Sequence, residues 1–381
     1  MIKLKWFFCL IFIFVSAADS ADLELKTKKI GKKVSLDPFD SVWNKVKSVE
    51  IPLMPQHIAP PGGGGSVAKI WIKALQNKNE IFFRLEWEDP TLNEDPTAAE
   101  SFTDAVALEF PEISGSWPSP FMGDLENPIL IWRWSASAQK DLDQGFQSGE
   151  ITHPNKTADI YPFDGEITFR SGEKAGNIIS KRKRETPIET LAAKGFGTLT
   201  ILDDFSVKGK GVWRNARWHV VLEKKLDEPI KHWLESEIPF AVAVWDGQNQ
   251  ERDGIKSFSI WYRLVLDGKN PKNKSSQVSK GEMVYLRYGC GTCHGKGALG
   301  GIHNPNSQLD PIPSLNKVKE TFTQEELQKV IFNGREPEKA DPRAGPPPFK
   351  MNGWGSVMSQ EEVHNLMEYL FSLQTSVEEW K

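Results

Sequence analysis

With 381 residues the chain is too long for one ordinary core and divides into more than one folded unit. A formal net charge of −4, from 47 basic and 51 acidic residues, gives no sign of a nucleic-acid binder. Three cysteines, only two of them beyond Cys9, rule out a four-thiolate iron–sulfur cluster within the chain.

Lys3 and Lys5 precede WFFCLIFIFV and then VSAA, the order of charged, apolar and small residues that marks a secretory signal peptide, expected over residues 1–18. That apolar run is too short to cross a bilayer as a helix, which needs about 20 residues. No later stretch is long and apolar enough to do so, so the mature chain is expected to be exported, periplasmic and without a transmembrane segment. GGGGS, Gly62 to Ser66, lacks the GKS/T ending of a phosphate loop and reads as a flexible connection.

From about Ser66 to Leu266 the chain reads as strands and turns. VAKIWIKAL and EIFFRLEW are separated by the turn-like QNKN. In the second, Ile81, Phe83, Leu85 and Trp87 alternate with Phe82, Arg84 and Glu86, the period of two of a half-buried strand. AVALEF, PILIWRW, GTLTIL, VKGKGVW, WHVVLEK, PFAVAVW and FSIWYRLVL follow, and short strands at this spacing predict a mainly β fold, an antiparallel β-sandwich over residues 22–266. Ten of the fourteen tryptophans lie between Trp71 and Trp261, open to three readings: core packing, a carbohydrate platform, or the walls of a pocket for a flat cofactor. SKRKRE, Ser180 to Glu185, reads as a solvated loop. WDGQNQERDG, Trp245 to Gly254, is acidic and turn-rich enough for calcium, although a hairpin loop explains the same residues.

Residues 267–278 are polar and rich in turn formers, a linker. Beyond it, Ser279 with Glu282, Thr323 with Glu326 and Ser359 with Glu362 predict capping boxes, and Val363, Leu366, Met367 and Leu370 share a helix face. Residues 279–381 should form a small all-α domain. It contains CGTCHGKG, in which Cys290 and Cys293 can bind the two vinyl groups of one covalent haem c while His294 takes the iron. PPPFKMNGWGSVMSQEEV resembles the class I cytochrome c pattern, in which a proline-rich loop gives a methionine ligand before a Trp-Gly pair; Met351 matches that ligand and Met358 a core position.

The blocks SVAKIWIKAL, EIFFRLEWEDPT, DAVALEFP, PFMGD, PILIWRW, VKGKGVWRNARWHVVLEKKL and FAVAVWDGQNQERDGIKSFSIWYRL resemble, in order, the haem b-binding gamma subunits of the ethylbenzene dehydrogenase family. The resemblance implies one non-covalent haem b held between a methionine and a lysine. By position these are Met122 in PFMGD and a lysine of VKGKGVW, where Lys210 fits the block better than Lys208, although both point to one face of the strand. His57 and His153, in loops, are substitutes.

The resemblance also implies a molybdopterin-containing catalytic subunit and an iron–sulfur subunit as partners, with a soluble cytochrome or terminal oxidase as acceptor. With its fused cytochrome c the arrangement is most similar to the gamma subunit of nitrite oxidoreductase, and related nitrate, chlorate, selenate and hydrocarbon molybdoenzymes share such a subunit. Six-coordinate haems leave no open position for a substrate, so the chain is expected to transfer electrons rather than to catalyse. A carbohydrate-binding sandwich fused to a cytochrome c, and a haem peroxidase, are the rival readings.

Overall fold

The computed structural model describes residues 23–31, 33–95, 102–147, 175, 184–227, 230, 238–268 and 278–373. The expected signal peptide, most of the linker, His153 and His232 lie outside the described residues. Among those described, no helix is long and apolar enough to cross a membrane.

The strands are β1 (Glu24–Lys29), β2 (Val49–Pro52), β3 (Met54–Pro55), β4 (Lys69–Gln76), β5 (Glu80–Glu88), β6 (Ala105–Pro111) and β7 (Ile129–Ser135), continuing with β8 (Ile188–Ala193), β9 (Thr200–Ile201), β10 (Lys208–Trp213), β11 (Arg217–Lys225), β12 (Ile238–Trp245), β13 (Ser257–Phe258) and β14 (Tyr262–Val265). They form one curled path, β10-β11-β5-β4-β1-β14-β12-β6-β7-β8-β9, with β2 on β4 and with β13 bridging β12 to β3. Two leaves result, and β1 joins them. Its first half pairs in parallel with β14 and its second half in parallel with β4. Every other pair is antiparallel, so the expected sandwich is present with one mixed seam.

Aromatic rings bind the leaves together. Phe83 of β5 lies 6.4 Å from Trp132 of β7, Trp87 lies 6.3 Å from Trp134, and Trp134 lies 4.7 Å from Trp218 of β11. Trp87, Trp132, Trp134 and Trp261 are fully buried, which makes these four tryptophans core residues rather than sugar platforms. Strand β5 departs from the half-buried expectation. Its outer face is covered too, because Phe82 packs with Val34, Val42, Trp43 and Val221 in a second small core.

The KGKG run has a packing cause. On β10 the buried residues are Gly209 and Gly211, while Lys208 is half-buried and Lys210 exposed. A Cβ on Gly211 would overlap the Trp134 indole, and one on Gly209 would meet Ile188 Cδ1 at 2.7 Å. The Gly211 N–H donates to Gln139 Oε1 at 2.9 Å, an oxygen that also accepts from Trp134 Nε1 at 3.2 Å. Gln139 sits on α1 (Ala136–Gln144), a helix between strands that the sequence pattern did not announce.

The C-terminal helices are α2 (Lys280–Arg287), α3 (Gly291–His294), α4 (Val318–Thr321), α5 (Gln324–Asn333) and α6 (Gln360–Ser372). Full capping boxes form at Thr323 and Ser359, while Ser279 accepts from the Glu282 N–H. Val363, Leu366, Met367 and Leu370 are buried. Tyr288, following α2, donates to Val357 O and Glu362 Oε2, and Arg287 pairs with Glu362 at 3.1 Å, which fixes α2 against α6.

Gly211→Ala should therefore lower unfolding stability by about 1–3 kcal/mol through overpacking, whereas Lys210→Ala should stay within about 0.5 kcal/mol of the parent. Denaturant midpoints of the two variants check this.

Candidate functional site

Two pockets adjoin. The first is built on the single turn of α3, where the N–H groups of Cys293 and His294 both donate to Cys290 O, at 3.3 and 3.0 Å. This turn gathers two free thiols and an imidazole at one spot. Burial pushes the Cys290 thiol up to about 12 and the Cys293 thiol up to about 11, and pulls His294 down to about 4. A neutral imidazole is the form that binds a metal. His294 Nδ1 is buried with no hydrogen-bond partner, so the polar demand of the ring is not met by protein. The donor set fits a covalent haem c. Met351, joined to Arg335 by a β-bridge, is partly buried on the same core cluster as both cysteines. Met358 is 5% exposed and belongs to the core itself.

The second pocket, a cavity of about 350 Å³, lies on the face of β6, β7, β8 and β12 turned away from the other leaf. That volume is in the range of ligand sites. Ala107, Ile131, Leu191, Val242 and Phe258 give it apolar walls, and Met122 and Lys256 both line it. Met122 has φ +73°, a left-handed conformation that a non-glycine residue holds only when its surroundings impose it. The imposing contacts are the Gly123 N–H to Ser119 O at 3.0 Å and the Gly195 N–H to Met122 O at 2.7 Å. Lys256 has its pKa lowered and Glu109 its pKa raised, in both cases chiefly by burial. The Lys256 Nζ lies 5.3 Å from the Trp245 ring, and Glu109, which lines the same cavity, acts on it in the opposite sense to burial, raising its pKa.

A shared wall separates the pockets. Phe121 lines the cavity, and its ring lies 6.4 Å from Trp354 of the helical domain. Gly289, immediately before Cys290, sits against it at φ +65°, where a Cβ would meet Phe121 at 2.5 Å and Pro120 at 2.6 Å. Ser119 Oγ and Thr292 Oγ1 are 2.5 Å apart, and Trp261 binds both sides, through its backbone N–H to Arg287 O and through Nε1 to Pro118 O. The loop that carries Met122 is thus the loop on which the CxxCH turn rests.

The lysines expected for the second pocket are elsewhere. Lys210 and Lys208 lie on β10, in the other leaf, directed away from the core, and neither lines the cavity. Period-two parity puts both on one face of the strand but does not say which face is covered, and the buried glycines decide it. Lys256, which lines the cavity, stands two residues beyond the WDGQNQERDG block and was not singled out in the sequence. The cue was a lone lysine, IKSFS, at the edge of an apolar strand. His57 does not line the cavity; His219 instead contacts Arg84 and Glu86.

Residues 40–257 match the family model described as ethylbenzene dehydrogenase. The chain belongs to the ethylbenzene dehydrogenase family. Residues 276–370 match the model described as cytochrome c oxidase, cbb3-type, subunit III, in agreement with the helical domain and its CxxCH. The chain is 27% identical to the chlorate reductase subunit gamma of Ideonella dechloratans over 235 residues, 60% of this chain and 78% of that protein. It is 25% identical to the dimethylsulfide dehydrogenase subunit gamma of Rhodovulum sulfidophilum, covering 59% of this chain and 72% of that one. It is 24% identical to the protein assigned as a respiratory nitrate reductase haem subunit in Haloferax mediterranei, covering 60% and 67%. A family 9 carbohydrate-binding module from Caldicellulosiruptor kristjanssonii overlaps with a TM-score of 0.33 at 11% identity, over 66% of this chain and 99% of that one, too loosely to bear on the ligand. This ethylbenzene dehydrogenase-family chain is an electron-transfer gamma subunit of a molybdoenzyme with a haem-binding cytochrome c domain, and its relatives are gamma or haem subunits rather than catalytic ones.

Gly289→Ala adds backbone strain to a clash with Pro120 and Phe121, and should destabilise the protein by roughly 2–4 kcal/mol. Guanidinium unfolding of the full chain measures it.

Proposed function

We propose that the chain is a two-haem relay, with one haem b between Met122 and Lys256 and one haem c attached to Cys290 and Cys293, His294 and Met351 being its iron ligands. The observation that carries this reading is that Met122 and Lys256 line one apolar cavity whose wall, Phe121, touches Trp354 and backs Gly289 beside the CxxCH turn. Lys256 takes the role expected of Lys210. A lysine ligates as a neutral amine, and burial favours that form. The turn at Met122 holds its backbone at the cavity wall, and most of the lining is apolar. Met351 is favoured over Met358 because Met358 is spent on core packing. When bound, the haems supply reversible one-electron chemistry, with potentials tuned by the axial ligands and burial.

In this reading the chain works in the periplasm after removal of residues 1–18. A molybdopterin subunit and an iron–sulfur subunit feed it, and a soluble cytochrome or terminal oxidase drains it. The fused cytochrome c suits an outlet for electrons from substrate oxidation, and we assign the complex to nitrite oxidation. The names of the chlorate and nitrate reductase relatives favour a second reading, in which the complex reduces its substrate. Isolating the native complex and assaying nitrite oxidation against chlorate and nitrate reduction separates the two.

Lys256→Ala and Met122→Ala should each lose the non-covalent haem while retaining the covalent one, and Lys210→Ala should retain both. Pyridine haemochrome spectra count them, and full haem b retention in Lys256→Ala would overturn the assignment. Met351→Ala should abolish the absorption of the oxidised protein near roughly 695 nm that marks methionine ligation; an unchanged band would exclude Met351.

A further inference from the structure

Away from both pockets, three buried carboxylates converge at one end of the sandwich. Asp89 follows β5 of one leaf, while Asp104 precedes β6 and Asp246 follows β12 of the other. One oxygen from each lies within 4.8 Å of the others. They are 1%, 0% and 6% exposed, and no lysine or arginine among the described residues pairs with any of them. Buried anions left unpaired are costly, and a fold that keeps three together needs compensation.

Hydrogen bonds supply part of it. Asp104 accepts from the Gly247 and Asn93 N–H groups, both at 2.9 Å, and from Trp218 Nε1 at 3.0 Å. Asp246 caps the 3-10 turn Gly247–Asn249. Asp89 is different: Oδ1 accepts from Thr91, whereas Oδ2 is buried and makes no full hydrogen bond, with only the Trp87 indole N–H near the carboxylate. Asn93 Oδ1, on the segment bonded to Asp104, is likewise buried and without a partner. A buried oxygen without a full hydrogen bond, on one of three gathered carboxylates, asks for a cation and not for another acceptor. Burial, with the repulsion between neighbours added to it, raises Asp104 to about 7 and Asp89 to about 6.

We propose that Asp89, Asp104 and Asp246 form a structural calcium site that clamps the ends of the two leaves. The donors are all hard oxygens, and carboxylate oxygens this close can all reach one ion at a Ca–O distance of about 2.3–2.6 Å. Magnesium fits less well, since it demands near-ideal octahedral geometry at about 2.0–2.1 Å, shorter than the spacing of these oxygens favours. The site also ties down the start of the loop that ends at Lys256, yet it stands on these carboxylates alone and does not depend on the haem reading.

The test uses the full-length, haem-loaded protein. After dialysis against EDTA and then against calcium-free buffer, it is titrated with calcium chloride while heat unfolding is followed, with magnesium and potassium chlorides in parallel. At about 1 mM calcium Tm should rise by roughly 3–8 °C, and elemental analysis after gel filtration should find about one calcium per chain. Asp89→Asn keeps the acceptor for Thr91 and should need at least about tenfold more calcium for the same rise. If that variant does not fold, Asp246→Asn takes its place. A wild type that retains no calcium and shows no shift overturns the site, as does a variant that responds like the wild type. An equal rise with magnesium overturns the choice of calcium.

Discussion

The contact on which the rest of the arrangement depends is the one between the Pro118–Gly123 loop and Gly289. On one side of it Met122 is held at φ +73° in the wall of an apolar cavity. On the other, the chain turns into Cys290 and the CxxCH helix. Because only glycine leaves room at position 289, the small domain can approach the sandwich closely enough for Phe121 to touch both sides. A larger residue there would separate the two pockets, whatever each contained. The Ser119–Thr292 hydrogen bond and the two bonds of Trp261 then fix the orientation.

That docking also explains the burial pattern of the second leaf. An ordinary sandwich strand is covered on one face, yet β6 and β7 are buried almost throughout. Their inner residues, Leu108, Phe110, Trp132 and Trp134, join the core between the leaves, while Ala107, Ile129 and Ile131 face the cavity side in a separate cluster. The first leaf has a smaller cover of its own, made by the segment around Trp43. The sandwich therefore gives one outer face to the cavity and the helical domain, and the other to its own N-terminal segment.

Much of this was legible in the chain. Nine strands fall within the segments that read as strands in the sequence, and the helical domain begins where the composition changes. The capping boxes at Thr323 and Ser359 form as their spacing requires. The misses have physical causes. Helix α1 is polar on average and is stabilised by tertiary bonds of Gln139, which no local pattern records. Strand β1 pairs in parallel with strands far along the chain, and nothing within six residues can announce that.

For the sites, the dividing line is covalent distance. Cys290, Cys293 and His294 lie together because one helical turn carries them, so their spacing alone shows that they share one spot. Sequence blocks in order also disclosed the family and the turn at Met122. Which lysine faces the cavity, and that Asp89, Asp104 and Asp246 meet, was decided only by the tertiary structure. Alternation along a strand tells which side chains share a face, but the choice between the covered and the open face is made by what packs there. On β10 the Trp134 ring claimed the inner face for glycine and sent Lys208 and Lys210 outward, and that strand lies in the leaf that does not border the cavity, where Lys256 stands.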